Sequence, residues 1–143
     1  MAALTKDTPR DHAPIASDRT ANYPLLASAR IFMGSFVGLN SSAARPLTAG
    51  DTLLGIALND SADYAAGDRS VAVAMEGLVW ISAVTGSTGL GDLGNDVYAA
   101  NSGDLTETAG SNTLIGRIVN YDATKGFLVH FKSGLLWDLD TDT

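Results

Sequence analysis

An eight-residue segment occurs twice in the chain, and that recurrence restricts the possible folds more than any other feature. Residues 52–59, TLLGIALN, return as residues 113–120, TLIGRIVN, with four positions identical and two more conservatively exchanged. Each copy is followed by an aspartate (Asp60, Asp122), a loop containing a glycine (Gly67, Gly126) and a β-rich run (71–75, 128–132). Each copy therefore reads strand, loop, strand. Two copies suit an all-β fold, a small β-barrel or sandwich built from two related strand-loop-strand halves. A glycine inside a strand marks a bulge or a place where another backbone comes close. Gly55 and Gly116 are expected at such places.

The rest of the chain follows the same grammar. Short apolar runs are separated by Gly, Asn, Asp and Ser, the pattern of an antiparallel β domain. Residues 29–39 (ARIFMGSFVGL) read as a strand pair or one long interrupted strand, and 51–58 as the next strand. Residues 70–75 alternate Val71, Val73 and Met75 against Ser70, Ala72 and Ala74, the period of a half-buried strand. Glu76–Gly77 reads as a tight turn or bulge before a strand over 78–84. Trp80 shares a face with Leu78 and is expected in the core. After a Gly-rich loop (85–95) come a strand at 96–100, a turn at 101–104, and closing strands at 114–121 and 127–132. In the last of these Phe127, Val129 and Phe131 face the core, and His130 points outward with Leu128 and Lys132. Helical periodicity is poor, and the best candidate, 61–66, is short and abuts Gly67.

With 143 residues the chain is one domain in size. It divides into an extended N-terminal arm (1–28), a β domain (29–133) and an acidic C-terminal tail (134–143). Pro9, Pro14 and Pro24 keep the arm from forming a helix. Its polar mix has no period, so the arm is either disordered or tied down by something outside its own core. Ile15, Tyr23, Leu25 and Leu26 are apolar points that favour docking. Charge is unevenly placed. Residues 1–45 carry five basic and three acidic side chains, and residues 46–143 carry four basic and 13 acidic ones, within a total of −7. A chain of that sign does not grip a nucleic acid backbone broadly, which needs clustered Lys and Arg. It points to a protein partner. No apolar run reaches the ~18 residues of a membrane span, and no apolar stretch of signal-peptide length opens the chain. The chain lacks cysteine, which excludes disulfides, thiolate nucleophiles and Cys-based zinc sites. A reducing cytoplasm is the expected place of synthesis.

Chemical motifs are weak. Residues 89–94, GLGDLG, match GxGxxG, but a dinucleotide site needs a helix next, and here a short strand follows. Asp138, Asp140 and Asp142 open a calcium-loop spacing, yet the Gly at its sixth position and the Glu at its twelfth are lacking, so a solvated acidic tail is the reading. The two histidines, His12 and His130, lie apart, and there is no GxSxG elbow and no HExxH. A paired-carboxylate sugar site would want aromatic platforms, for which only Trp80 and Trp137 are strong candidates. No catalytic residue, metal ligand or cofactor is assigned, and the chain is expected not to be an enzyme. Trp137 sits in an apolar cluster before the acidic end. It either forms a contact patch or packs back on its own barrel.

The stretch 91–100 (GDLGNDVYAA), then 103–106 (GDLT), 113–116 (TLIG) and the closing strand 127–132 together resemble capsid cement, or head decoration, proteins of tailed bacteriophages. Similar grammar recurs in 47–51 and 54–57, so the resemblance covers residues 46–132. It implies a structural virion protein on the outer capsid surface that staples neighbouring subunits of the major capsid protein. It also implies a homotrimer at threefold or quasi-threefold lattice positions. The contact residues expected on the arm and tail are Arg10, Ile15, Arg19, Tyr23, Leu25, Leu26 and Trp137. Another virion component (a minor head or tail protein) and a carbohydrate-binding β module are the alternatives.

Overall fold

A computed structural model describes residues 3–7, 11–13, 20–26, 29–60 and 70–136, with only the backbone of 11–13 described. The fold is all-β. Eleven strands are present among the described residues: β1 (Asp11–Ala13), β2 (Thr20–Pro24), β3 (Phe36–Asn40), β4 (Ala43–Pro46), β5 (Thr52–Ala57), β6 (Ser70–Ala74), β7 (Glu76–Ile81), β8 (Asp96–Ala99), β9 (Leu105–Thr106), β10 (Thr113–Asp122) and β11 (Gly126–Lys132). They form two antiparallel sheets, in the orders β2-β6-β5-β3-β4 and β1-β7-β11-β10-β8-β9.

The sequence repeat is a structural repeat. Numbered from its own first strand, each half runs first, fifth, fourth, second, third across the sheet, and only β1 stands outside the scheme. The two copies of the repeat are β5 and β10. Each carries a bulge at the same place. Between β3 and β5 the register skips Leu54, and between β8 and β10 it skips Ile115. The next residue is Gly55 or Gly116, and at both another strand's backbone comes close. A β-carbon there would run into the carbonyl oxygen of Ala74 or His130. Gly55 also has φ of 151°, a region that favours glycine. In each half the chain just beyond the first strand meets the third strand through a parallel bridge, Leu25 with Ala44 in one and Thr85 with Thr106 in the other. The amides of Leu26 and Thr85 donate to the carbonyls of Ala44 and Leu105 at 2.8 and 2.9 Å.

The core has two parts. The larger cluster joins the halves: Phe36, Leu47, Leu53 and Ile56 of the first pack with Val79, Val97, Ile115, Ile118, Val129 and Phe131 of the second. The smaller cluster lies on the other side of the first sheet and contains Ile31, Val37, Ala44, Leu54, Ala57, Val71 and Val73, with Tyr23, Leu25 and Leu39 against it. The bulge in β5 explains the split: by shifting the alternation one residue it sets Leu53 and Ile56 toward one cluster and Leu54 and Ala57 toward the other.

Several elements depart from the sequence reading. Residues 29–35 are not strand. A turn closed by the amide of Ser35 on the Phe32 carbonyl breaks the run, and Ile31 is buried without joining a sheet. Glu76–Gly77 is no turn but the start of β7; at Met75 the chain passes from one sheet to the other. That strand ends at Ile81, short of 84. Trp80 is half-buried on the outward face, because strand parity gives Val79 and Ile81 to the core. Leu128, expected outward, is buried, flanked in register by Trp80 and Asn120. The arm is in part laid on the body. Thr20–Pro24 pairs with β6, Asp11–Ala13 with β7, and the amide of Leu4 reaches Ser102 Oγ at 3.3 Å. The helix candidate 61–66 and the aspartates of the tail lie outside the described residues.

Candidate interaction surface

The outward face of the six-stranded sheet is built by parity. Where Val79, Ile81, Ile115, Ile118, Val129 and Phe131 turn inward, Glu76, Leu78 and Trp80 of β7, His130 and Lys132 of β11, Arg117 of β10 and Asp96 of β8 turn outward. Register sets them side by side. Arg117 stands opposite both Asp96 and His130, His130 opposite Leu78, and Lys132 opposite Glu76. Asp96 Oδ1 accepts from Arg117 Nε at 3.3 Å, and Glu76 Oε2 lies 3.0 Å from His130 Nε2. The Lys125 ammonium sits 5.3 Å from the Trp80 ring centroid, a cation–π distance. Asp96, Gly116, Arg117, Val119, His130 and Lys132 line an open depression of about 360 Å³. Within each pair the polar ends bond to one another, Asp96 to Arg117 and Glu76 to His130, along the face. The face is therefore shaped for broad polar contact, as an interface rim is.

Beside it is an apolar rim. A second irregularity in β10 leaves Val119 unpaired and turned out, 43 % exposed. The neighbouring loop is stitched to the same strand by the Gly94 amide on the Ile118 carbonyl (2.8 Å) and the Ile118 amide on the Asn95 carbonyl (3.0 Å). It presents Leu93 at 44 % and Leu90 at 62 % exposure. Sequence reading missed this rim; the exposed Leu90 and Leu93 lie within the GxGxxG-like segment itself. That segment forms a single 3₁₀ turn, Leu90–Asp92, and then leads into β8. The Asp92 carboxylate accepts from the amides of Thr88 (2.7 Å) and Gly89 (3.1 Å), and these bonds, that from Thr88 first, lower its pKa.

Of the seven residues singled out from sequence, Arg10, Ile15, Arg19 and Trp137 lie outside the described residues. The other three stand together at the end of β2. Tyr23 packs on the smaller cluster with its hydroxyl 3.7 Å from Met75 Sδ, and burial raises its pKa. Leu25 packs on the same cluster, and Leu26 gives its amide to Ala44. All three are half-buried. Among the described residues no group of three or more His, Cys, Asp or Glu could hold a metal ion. No described helix is long and apolar enough to cross a membrane.

No curated protein matches the chain significantly. A family model described as phage cement protein matches residues 15–132, which include every strand from β2 to β11. That match takes in both structural repeats and the outward face, and by it the chain belongs to the phage cement protein family.

Proposed function

We propose that this capsid-associated structural protein binds the outer surface of the assembled phage head and staples neighbouring major capsid subunits. The family match over residues 15–132 carries the reading. The surface agrees with it in kind: a broad face of paired charges with an apolar rim can meet another protein over a wide area. The arm and tail supply further contacts through Arg10, Ile15, Arg19 and Trp137, with the half-buried Tyr23, Leu25 and Leu26 at the arm's root. An extended arm adds to a neighbour's sheet edge by main-chain hydrogen bonds. A homotrimer at threefold or quasi-threefold positions links such contacts, so that several weak ones act as one strong one. The protein is made in the host cytoplasm and ends on the virion surface, and its role is mechanical rather than catalytic.

Co-sedimentation with purified heads tests this. Removing residues 1–28 would also remove β2, so the arm is probed by removing residues 1–10 or by Arg10→Glu with Arg19→Glu. The wild-type chain is expected to saturate the heads, and the arm variants to bind at least tenfold more weakly while keeping the wild-type β spectrum. Unchanged binding by both variants removes the arm from the mechanism. A wild-type chain that stays in the supernatant overturns the reading as a whole.

A further inference from the structure

The two halves share their strand order and their register around Gly55 and Gly116, and one difference between them is informative. In the second half the outer edge of β7 is covered by β1, with Asp11, His12 and Ala13 opposite Trp80, Val79 and Leu78. The repeat places Thr20, Ala21 and Asn22 of β2 where Leu78, Val79 and Trp80 stand in β7. Thr20 faces Ala74 and Ala21 faces Val73, as Leu78 faces His130 and Val79 faces Val129. Yet no described strand lies along that edge of β2. Further on, the edge is closed by the bridge from Leu25 to Ala44, so the open stretch is Thr20–Asn22, beyond the β3–β4 turn. Thr20 and Asn22 are exposed.

Hydrogen-bond parity says which groups are free to pair there. Ala72 donates its amide to Asn59 Oδ1, and its carbonyl accepts the Leu58 amide, both toward β5. Val71 and Val73 therefore bond toward β2 through Tyr23 and Ala21, and the main-chain groups of Thr20 and Asn22 point away from the sheet. The six-stranded sheet carries the matching edge. The Ser133 amide bonds to the Met75 carbonyl, which assigns Gly77, Val79 and Ile81 to β11. Leu78 and Trp80 then bond to Ala13 and Asp11, and His12 turns its amide and carbonyl outward. Among the described residues the chain thus presents two bare strand edges. One offers the amide and carbonyl of His12, and the other offers main-chain groups on either side of Ala21. In a parallel ladder a single residue bonds to the two residues flanking its partner, which is what these edges present.

We propose that β1 of one copy pairs with β2 of a second copy, His12 beside Ala21, so that the six-stranded sheet of one protomer continues into the five-stranded sheet of the next. The contact is head-to-tail, the type that closes into a ring when its rotation allows. It buries two edges that would otherwise be open to non-specific pairing. The proposal rests on the reading of this chain as a homo-oligomeric cement protein and names the join between its copies.

The cysteine-free chain makes the test direct. Full-length His12→Cys and Ala21→Cys proteins are prepared separately and treated with a bis-maleimide short enough to join only adjacent strands. A mixture of the two is expected to give a cross-linked dimer on a denaturing gel, and neither protein alone is. A dimer from Ala21→Cys alone means β2 pairs with β2 and overturns the proposal, as does a mixture that yields only monomer. Asn22→Pro removes one outward amide at an edge where proline is otherwise tolerated. It is expected to lower the sedimentation mass to that of a single chain with its β spectrum unchanged; an oligomer that persists overturns the proposal. Co-sedimentation of the same variant with heads reads capsid association separately, so failure of the join and failure of the capsid reading are distinguished.

Discussion

Gly55 and Gly116 occupy the same position in the two halves, and neither tolerates a side chain. At each, a β-carbon would strike a neighbouring strand's carbonyl oxygen, Ala74 in one case and His130 in the other. Backbone cannot swing aside as a flexible side chain does. Gly55→Ala and Gly116→Ala are each expected to cost about 3 kcal/mol in urea unfolding, the upper part of the usual overpacking range. Gly91, with nothing within 4 Å, is the control, and Gly91→Ala should stay within about 0.5 kcal/mol of wild type. Two aspartates contribute to the acid limb of stability. Asp92 accepts amides from Thr88 and Gly89, and Asp122 accepts them from Lys125 and Thr124; in both the pKa is lowered, chiefly by the amides of Thr88 and Lys125. A carboxyl whose folded pKa lies below its unfolded value of about 3.9 stabilises fully above that value. The contribution fades as pH falls through the folded pKa. Melting temperatures taken from pH 5 to pH 2 should therefore fall less steeply in Asp92→Asn with Asp122→Asn than in the wild type. Equal slopes would refute the assignment.

Among the elements, β10 ties the halves together by more than apolar contact. Thr113 Oγ1 donates to the Asp51 carbonyl at 2.7 Å and accepts the Gly50 amide at 3.1 Å, so its buried hydroxyl spans the two repeats. Thr113→Val keeps the shape and loses both bonds, and is expected to cost about 1–2 kcal/mol in chemical denaturation with no change in denaturant slope. Strands such as β5, β6, β10 and β11 were readable in sequence because one face of each is apolar over four or more residues. β4 and β9 were not. Ala43–Pro46 and Leu105–Thr106 are too short to show a period, and they are strands because β3 and β8 lie beside them. The run 29–35 misled in the opposite way, since Ile31 is buried as its composition suggests but the turn closed by Ser35 on Phe32 ends the run before it can join a sheet. A longer repeat was there to be seen. Thr48-Ala49-Gly50 precedes the first copy as Thr108-Ala109-Gly110 precedes the second, and both glycines have positive φ. The interaction surface was less legible. Its charges come from four strands distant in sequence, and only the register that pairs Arg117 with Asp96 and His130 gathers them.

At the scale of the whole molecule, the shared core decides how the protein unfolds. Phe36, Leu53 and Ile56 of the first half pack in the same cluster as Ile115, Ile118 and Phe131 of the second, so neither half can open without exposing apolar surface of the other. Leu54 offers a way to perturb one half alone. It is fully buried in the smaller cluster, which belongs to the first half entirely. Both tryptophans, Trp80 and Trp137, lie in the second half of the chain, so tryptophan fluorescence reports that half while far-UV circular dichroism reports both. Leu54→Ala removes three buried carbons and leaves a cavity, at an expected cost of about 3 kcal/mol. If the halves unfold as one cooperative unit, the fluorescence transition moves by the same amount as the dichroism transition, although the substitution lies outside the half that fluoresces. Two separated transitions, with fluorescence unmoved, would show that the repeats are independently stable. Coincident transitions are expected, because unfolding either half strips apolar cover from the core residues of the other.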